Sequence, residues 1–399
     1  MHNSNLWTKD FLIDSVTNCF LYLSYYLLIL TITLYAADQF QASPSEAGLA
    51  SGIFILGALF ARIFAGRSIE RVGRKKTLYF GLSFFLLTTL AYFIVNSLPL
   101  LLCIRFLNGV GFGVSSTATG TIAASIIPHE RRGEGTSYYA LSMTFASAVG
   151  PFLGMLLSQQ GHFQLIFALC AALIGVSFTA AFFLSVPEVA LTPEQQARMK
   201  EYKLSSFLEA RAIPIAFISA LTGFAFSGIL CFLSAYTREI NLVGAGSFFF
   251  IVYAAAVLIS RPFTGRIFDR RGEDMVMYPA FLLLALGLLI LSLADTGPLL
   301  LLAGVCAGLG FGTFMSSAQA ISVKVSPRHR MGLATSTFFI FLDAGVGVGP
   351  FLLGFLIPAT GFRGLYASMA AVVMLCIVFY YFLHSRKAPV RNEEPVIEY

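Results

Sequence analysis

Apolar runs long enough to cross a bilayer alternate with short polar links along the whole chain. The first six lie near 11–36, 46–66, 76–96, 98–126, 134–158 and 163–185. The second six lie near 209–236, 244–266, 275–294, 298–323, 332–357 and 362–384. Each reaches roughly the 20 residues a helix needs to span the hydrocarbon core. The pattern predicts an all-α membrane protein with twelve transmembrane helices in two six-helix bundles. The longest polar stretch, 186–208, divides the sixes. Within it Thr192-Pro193-Glu194-Gln195 has the form of a capping box with Pro at the first helical position; a short surface helix and a solvated linker both suit it. The expected organisation is 1–185 as an N-terminal half, 186–208 as a cytoplasmic linker, 209–385 as a C-terminal half and 386–399 as a tail.

Composition agrees. The chain is 57% hydrophobic and 12% charged, with mean hydropathy +0.80, against about 25% charged residues in soluble proteins. The net charge of +6 would suggest nucleic acid in a soluble protein. Here the basic residues flank apolar runs, so they read as topology signals and no nucleic-acid partner is expected. The six Cys fall inside apolar runs without metal or disulfide spacing and read as small buried hydrophobes. The first run is too long for a signal-peptide core and reads as a retained span.

Arg238 and Arg363 fall in links on one side, and Arg62, Arg105 and Arg261 fall inside spans. All the other Lys and Arg fall on the opposite side. This asymmetry predicts cytoplasmic termini and a multi-pass protein of the cytoplasmic membrane.

A shift of 199 residues superimposes the chain on itself. Arg62 meets Arg261, Gly66 meets Gly265, Glu70 meets Asp269, Arg71 meets Arg270 and Gly73 meets Gly272. "GVGFG" (109–113) meets "GLGFG" (308–312), and Gly150-Pro151 meets Gly349-Pro350. The halves are therefore a parallel repeat, related by a pseudo-two-fold axis along the membrane normal. A duplicated bundle around a central axis predicts a transporter that exposes a midplane site to alternate sides.

The loop residues Gly66, Glu70, Arg71, Gly73, Arg74 and Lys75 resemble the motif between the second and third spans of the major facilitator superfamily. The likeness covers the whole chain and is nearest to twelve-span drug:proton antiporters and metabolite exporters. Glu70 stands where the family usually has Asp. The second copy keeps Gly265, Asp269, Arg270 and Gly272 but puts Glu273 and Asp274 where the trailing basics would be. The resemblance implies a latch between the halves on the cytoplasmic side. The start of the eleventh span, near Met331 to Ala334, is the implied partner, its positive helix end suited to an acid. A topology role for Lys75 and Lys76 is the plainer reading.

"RFLNGVGFG" (105–113) resembles the family's fourth-span pattern, which associates Arg105 with proton transfer. An intramembrane Arg is costly unless it faces a cavity or a partner; snorkelling is the alternative. The repeat counterparts of Arg105 and Asn108 are Gly304 and Ala307, so the polar pair is confined to one half. "SAVGPFLG" (147–154) resembles the exporters' fifth span. Pro151 removes a helix hydrogen bond, and Gly150 and Gly154 permit close packing at the bend. Asp343, near mid-membrane in the eleventh span, is a candidate for proton coupling or substrate binding, or forms a structural ion pair. Its counterpart is Thr144. Asp14, early in the first span, is a weaker candidate placed near the interface. Asn18, Tyr22, Tyr25, Tyr26 and Gln319 are candidate cavity residues.

No GxxxxGK[ST] loop appears, so energy is expected from an ion gradient. No nucleophile–base or metal constellation emerges; neither an enzyme nor a cofactor is expected. The reading is a monomeric, proton-coupled exporter of a small organic molecule, with Asp343 and Arg105 both handling the proton. A sugar or organic-anion importer or uniporter is the near alternative. A membrane sensor or lipid-handling protein is the alternative of another class.

Overall fold

The computed structural model describes residues 6–128, 132–159, 161–186, 208–326 and 331–387. The capping box expected in the linker lies outside them. Among these residues the secondary structure is helical, without strands. The first six helices are α1 (Lys9–Phe40), α2 (Pro44–Val72), α3 (Arg74–Leu90), α4 (Leu98–Ile126), α5 (Arg132–Ser158) and α6 (Phe163–Phe182). They are followed by α7 (Ile213–Glu239), α8 (Val243–Arg271), α9 (Asp274–Ser292) and α10 (Gly297–Lys324). The stretch Met331–Leu383 is two helices, α11 (331–360) and α12 (362–383), divided by Gly361 at φ 67°. Eleven helical stretches among the described residues are long and apolar enough to cross a membrane, and the Gly361 break makes the last of them two spans.

Local chemistry places the ends. Ser43 caps α2 reciprocally with Glu46, with Pro44 at the first position. α2 does not stop at 66 as expected but runs to Val72, so Gly66–Arg71 are helical. The link to α3 is one residue, Gly73, at φ 100°. Its repeat counterpart Gly272, at φ 91°, ends α8 in the same way. A side chain is strained at such angles, which explains why glycine recurs at both places.

The repeat is visible in packing as well as in sequence. A Cβ on Gly109 would strike the Phe54 carbonyl, and one on Gly308 the Tyr253 carbonyl. Gly111 lies against Phe85 and Gly310 against Leu284; Gly113 lies against Ala58 and Gly312 against Val257. Every pair is related by the same 199-residue shift. The small residues let α4 sit on α2 and α3, and α10 on α8 and α9, at backbone contact distance. The symmetry is broken at one place, because Gly308–Gly312 forms a π-helical turn. The fold is two pseudo-symmetric six-helix bundles, meeting where α2 packs on α11, α5 on α8 and α1 on α7. One end of the assembly carries the Gly73 and Gly272 turns and is called the basic end; the other is the far end.

One packing expectation needs correction. Cys103 is exposed and Cys19 half-buried, because outward faces of these helices meet lipid, where a small apolar side chain needs no burial. Asp14 is 1% exposed, since α4 and α5 close over that face of α1.

Candidate functional site

Arg62 of α2 and Asp343 of α11 form an ion pair across the two halves. Arg62 lies 10 residues from the end of α2 and Asp343 12 from the start of α11, about 15–18 Å in from the basic end. Their side chains keep 25% and 19% exposure, so the pair is neither sealed in a core nor open to bulk solvent. The Arg62 guanidinium lies 5.8 Å from the Phe112 ring centroid and beside Tyr22. Tyr25 stacks on both Phe54 and Phe112, at 5.5 and 5.4 Å, and packs edge-on to Tyr26. Thus Tyr22, Tyr25 and Tyr26, half-buried on α1, gather around the pair.

The pseudo-symmetric position carries no such pair. Arg261 of α8 is exposed, and Thr144 of α5 back-bonds to the Ala140 carbonyl. The duplication built two equivalent interfaces, and one received a charge bridge.

Arg105 is elsewhere. It is 1% exposed, donates to the Ala50 carbonyl at 2.8 Å and to the Tyr92 hydroxyl at 3.2 Å, and lies 4.5 Å from the Phe54 ring. Tyr92 donates to Asn108, whose amide donates to Thr88 and Thr89 at 3.0 Å each. Burial excludes snorkelling, and the partners are neutral. Phe54 and Phe112 touch, at 5.4 Å, so the two arginines flank one aromatic cluster. The structure does not bring Arg105 to Asp343, because α4 turns that face toward α2 and α3.

The remaining candidates divide. Asn18 bonds to Ser142 and Thr119, joining α1, α5 and α4. Gly150 and Gly154 press against α1 at Tyr26 and Leu27 beside Pro151. Gln319 is half-buried on α10, and no described contact joins it to the pair. The surroundings of Gly66 and Gly332, and the side chains of Glu70, Asp269 and Met331, lie outside what the structure describes. Arg71, Gly265 and Arg270 are exposed, and Arg74 is buried.

Lys75 works within its own half. Its ammonium donates to the Leu184 carbonyl at 2.6 Å, at the end of α6, where the helix dipole favours a cation. In the second copy Asp274 accepts from Tyr380 and Ser385 at 2.7 and 2.6 Å, and Glu273 binds Lys324 and His384 at 2.6 and 2.9 Å. Both copies tie the third helix of a half to the sixth with opposite charge. The hydrogen bond from His384, and then Lys324, hold the Glu273 carboxyl down at about 2 against the opposing effect of burial.

At the far end Arg238 meets Asp38 at 3.0 Å, Gln159 donates to Ser247 at 3.0 Å and Ser45 donates to the Phe351 carbonyl at 3.0 Å. A Cβ on Gly48 would strike Pro350, and one on Gly52 would strike Gly347. The halves are in backbone contact there.

Sequence reasoning missed Arg62. The signal was present: an Arg inside a span has to find a partner, and Asp343 is an acid at matching depth.

Two six-helix bundles of membrane-spanning length, joined across the halves by a partly accessible ion pair, define a membrane transporter. The model for the Major Facilitator Superfamily matches residues 15–293 and 243–398, and the chain belongs to that family. It is 24% identical over 342 residues to the MFS-type transporter MJ1560 of Methanocaldococcus jannaschii, spanning 84% of this chain and 88% of the relative. It is 30% identical over 180 residues to the multidrug resistance protein MdtG of Dickeya zeae, 43% of this chain and 44% of the relative. Its fold matches the nucleoside transporter NupG with TM-score 0.78 at 14% identity, covering 94% and 99% of the two chains.

Proposed function

We propose that the chain acts as a monomer in the cytoplasmic membrane, termini inside, and exports a small organic molecule in exchange for protons. The observation that carries this is the Arg62–Asp343 pair, a charge bridge between halves inside the membrane that must separate when one rocks on the other. A proton on Asp343 removes the charge that holds Arg62, so protonation releases the bridge. Loss of the proton re-forms it. Export is supported by the partial likeness to MdtG and by the Gly-Pro bend of α5. Basic loops at the Gly73 and Gly272 turns support a cytoplasmic basic end. The far-end contacts then close the outer side while the pair is made. One proton crossing 100 mV supplies about 2.3 kcal/mol, enough for a gradient of roughly fifty-fold.

The test uses acidified inside-out vesicles with a lumenal pH dye and a panel of cationic, anionic and neutral amphiphiles. A panel member that raises lumenal pH in wild type, and fails to in Asp343→Asn, supports proton antiport. Transport of any member at a rate independent of the pH gradient overturns it.

A further inference from the structure

Among the described residues no acid pairs with Arg261 of α8. It lies 10 residues from the end of its helix, as Arg62 does from the end of α2, so both stand about 15 Å in from the basic end. Its direction follows from helical periodicity. Phe250, Ala254, Val257 and Arg261 share one stripe of α8, and the first three are buried. Ile259 and Phe263, 67% and 61% exposed, mark the opposite, lipid-facing side. Arg261 is exposed although it stands on the inward stripe, so it is open to the interior. One turn further on, a Cβ on Gly265 would meet nothing within 4 Å. At the other end α8 rests on α5: Phe152 and Phe248 lie 5.4 Å apart, and a Cβ on Gly246 would strike Met155. The seam between α5 and α8 is thus closed at the far end and open from the basic end to the depth of Arg261.

The acids on that side are sealed or committed. Asp14 and Glu209 are 1% and 3% exposed. Asp10 accepts the Ser185 N–H, Glu273 and Asp274 are bonded to His384 and Tyr380, and Asp343 holds Arg62. The side chains of Glu134 and Asp269 lie outside the described residues. Arg105 is sealed against Ala50 and Tyr92. Among the described residues, then, the accessible interior carries one uncompensated positive charge. An aromatic wall lies beside it. Tyr253 is within electrostatic range of Arg261 and, across the halves, of Tyr26, and its ring is 5.7 Å from that of Phe226. A guanidinium in such a setting pairs strongly and often bidentately with a carboxylate or phosphate, and an ionisable side chain at this depth needs a partner. We propose that Arg261 binds the acidic group of the transported molecule, with Tyr26 and Tyr253 against its apolar body, so that the substrates are small amphipathic organic anions. This names the substrate class of the exporter proposed above and rests on that reading. While the Arg62–Asp343 pair is made, Arg261 is the cation that meets an anion entering from the basic end.

Three probes with one skeleton read the charge: naphthoate, naphthamide and naphthylmethylammonium. Equilibrium dialysis against the full chain in phosphatidylcholine nanodiscs at neutral pH, with empty nanodiscs subtracted, measures binding without transport. Naphthoate should bind about tenfold or more tightly than the other two. Arg261→Gln should remove the preference, and Arg261→Lys, which keeps the charge, should retain much of it. Asp343→Asn should keep it, since the pair is not the anion site. Equal binding of the three probes, or a preference that persists in folded Arg261→Gln, overturns the proposal. So does a preference abolished by adding phosphatidylglycerol to the nanodiscs, which would make Arg261 a lipid-headgroup site. Transport independent of the pH gradient in the vesicle assay would overturn proton exchange and leave the anion preference standing.

Discussion

Arg62 and Asp343 stand on opposite halves of the molecule and are held together inside the membrane. Separating them leaves two charges in a poor solvent, whereas protonating Asp343 leaves one charge with Tyr22 and the Phe112 face as neighbours. Removing one partner of a buried pair is more damaging than replacing both. Arg62→Met should therefore lower stability by about 1–3 kcal/mol, a range set below that of a sealed pair by the residual exposure. Arg62→Met with Asp343→Leu should recover much of the loss. Thermal unfolding in detergent measures both; equal losses in the single and double variants would show that the charges are not coupled.

Closure at the far end depends on missing side chains. Gly52→Ala places a methyl where the Gly347 carbonyl sits. The expected result is a shift of about tenfold or more toward separated far ends, read as spectroscopic distances between labels on α2 and α11. Gly265→Ala is the matched control, since nothing lies within 4 Å of its Cβ position. It should leave the distances unchanged.

The Glu273 staple should be acid-sensitive. Its carboxyl titrates at about 2 in the fold against an ordinary value of 4.5. A depressed folded value means that stability is fully present above the ordinary value and is lost as pH falls toward 2. Glu273→Gln should lower the melting temperature at neutral pH and flatten the decline between these values. An unchanged acid limb in Glu273→Gln would mean that the staple contributes nothing.

The Arg105 network should respond to a single hydroxyl. Tyr92 accepts from Arg105 and donates to Asn108. Tyr92→Phe leaves both groups short of a partner in a buried site, at a cost of about 1–3 kcal/mol. The same variant should leave coupling through Asp343 intact, because the aromatic rings of Phe54 and Phe112, and no described hydrogen bond or ion pair, lie between the two. Loss of pH-driven transport at retained stability would place Arg105 in the proton path.

Much of this organisation is legible in the chain alone. Span number followed from runs of about 20 apolar residues, a requirement imposed by bilayer thickness. The halves followed from the 199-residue echo, and the structure shows the Gly109–Phe54 and Gly308–Tyr253 contacts on the same shift. Gly73 and Gly272, read from the chain only as motif glycines, prove to be turns, because only glycine takes those angles easily. The missed extent of α2 has a physical source too: "GRSIER" is polar, yet it continues a helix past the apolar run, since polar residues form helix readily once outside lipid.

The site was read as a set of residues and not as an arrangement. Asp343 and Arg105 each announced themselves as charges inside apolar runs, but sequence order says nothing of helix rotation. Whether α4 turns Arg105 toward Asp343 or toward Tyr92 is decided by which small residues let α4 settle against α2 and α3. The same holds for Asp14, whose depth in sequence suggested an interface and whose neighbours on α4 and α5 bury it. By itself the sequence determined spans, repeat and the inventory of intramembrane charges, because these depend on local chemistry and length. Only the tertiary structure decided which charge meets which, because pairing across halves depends on the rotation and depth of helices far apart in the chain.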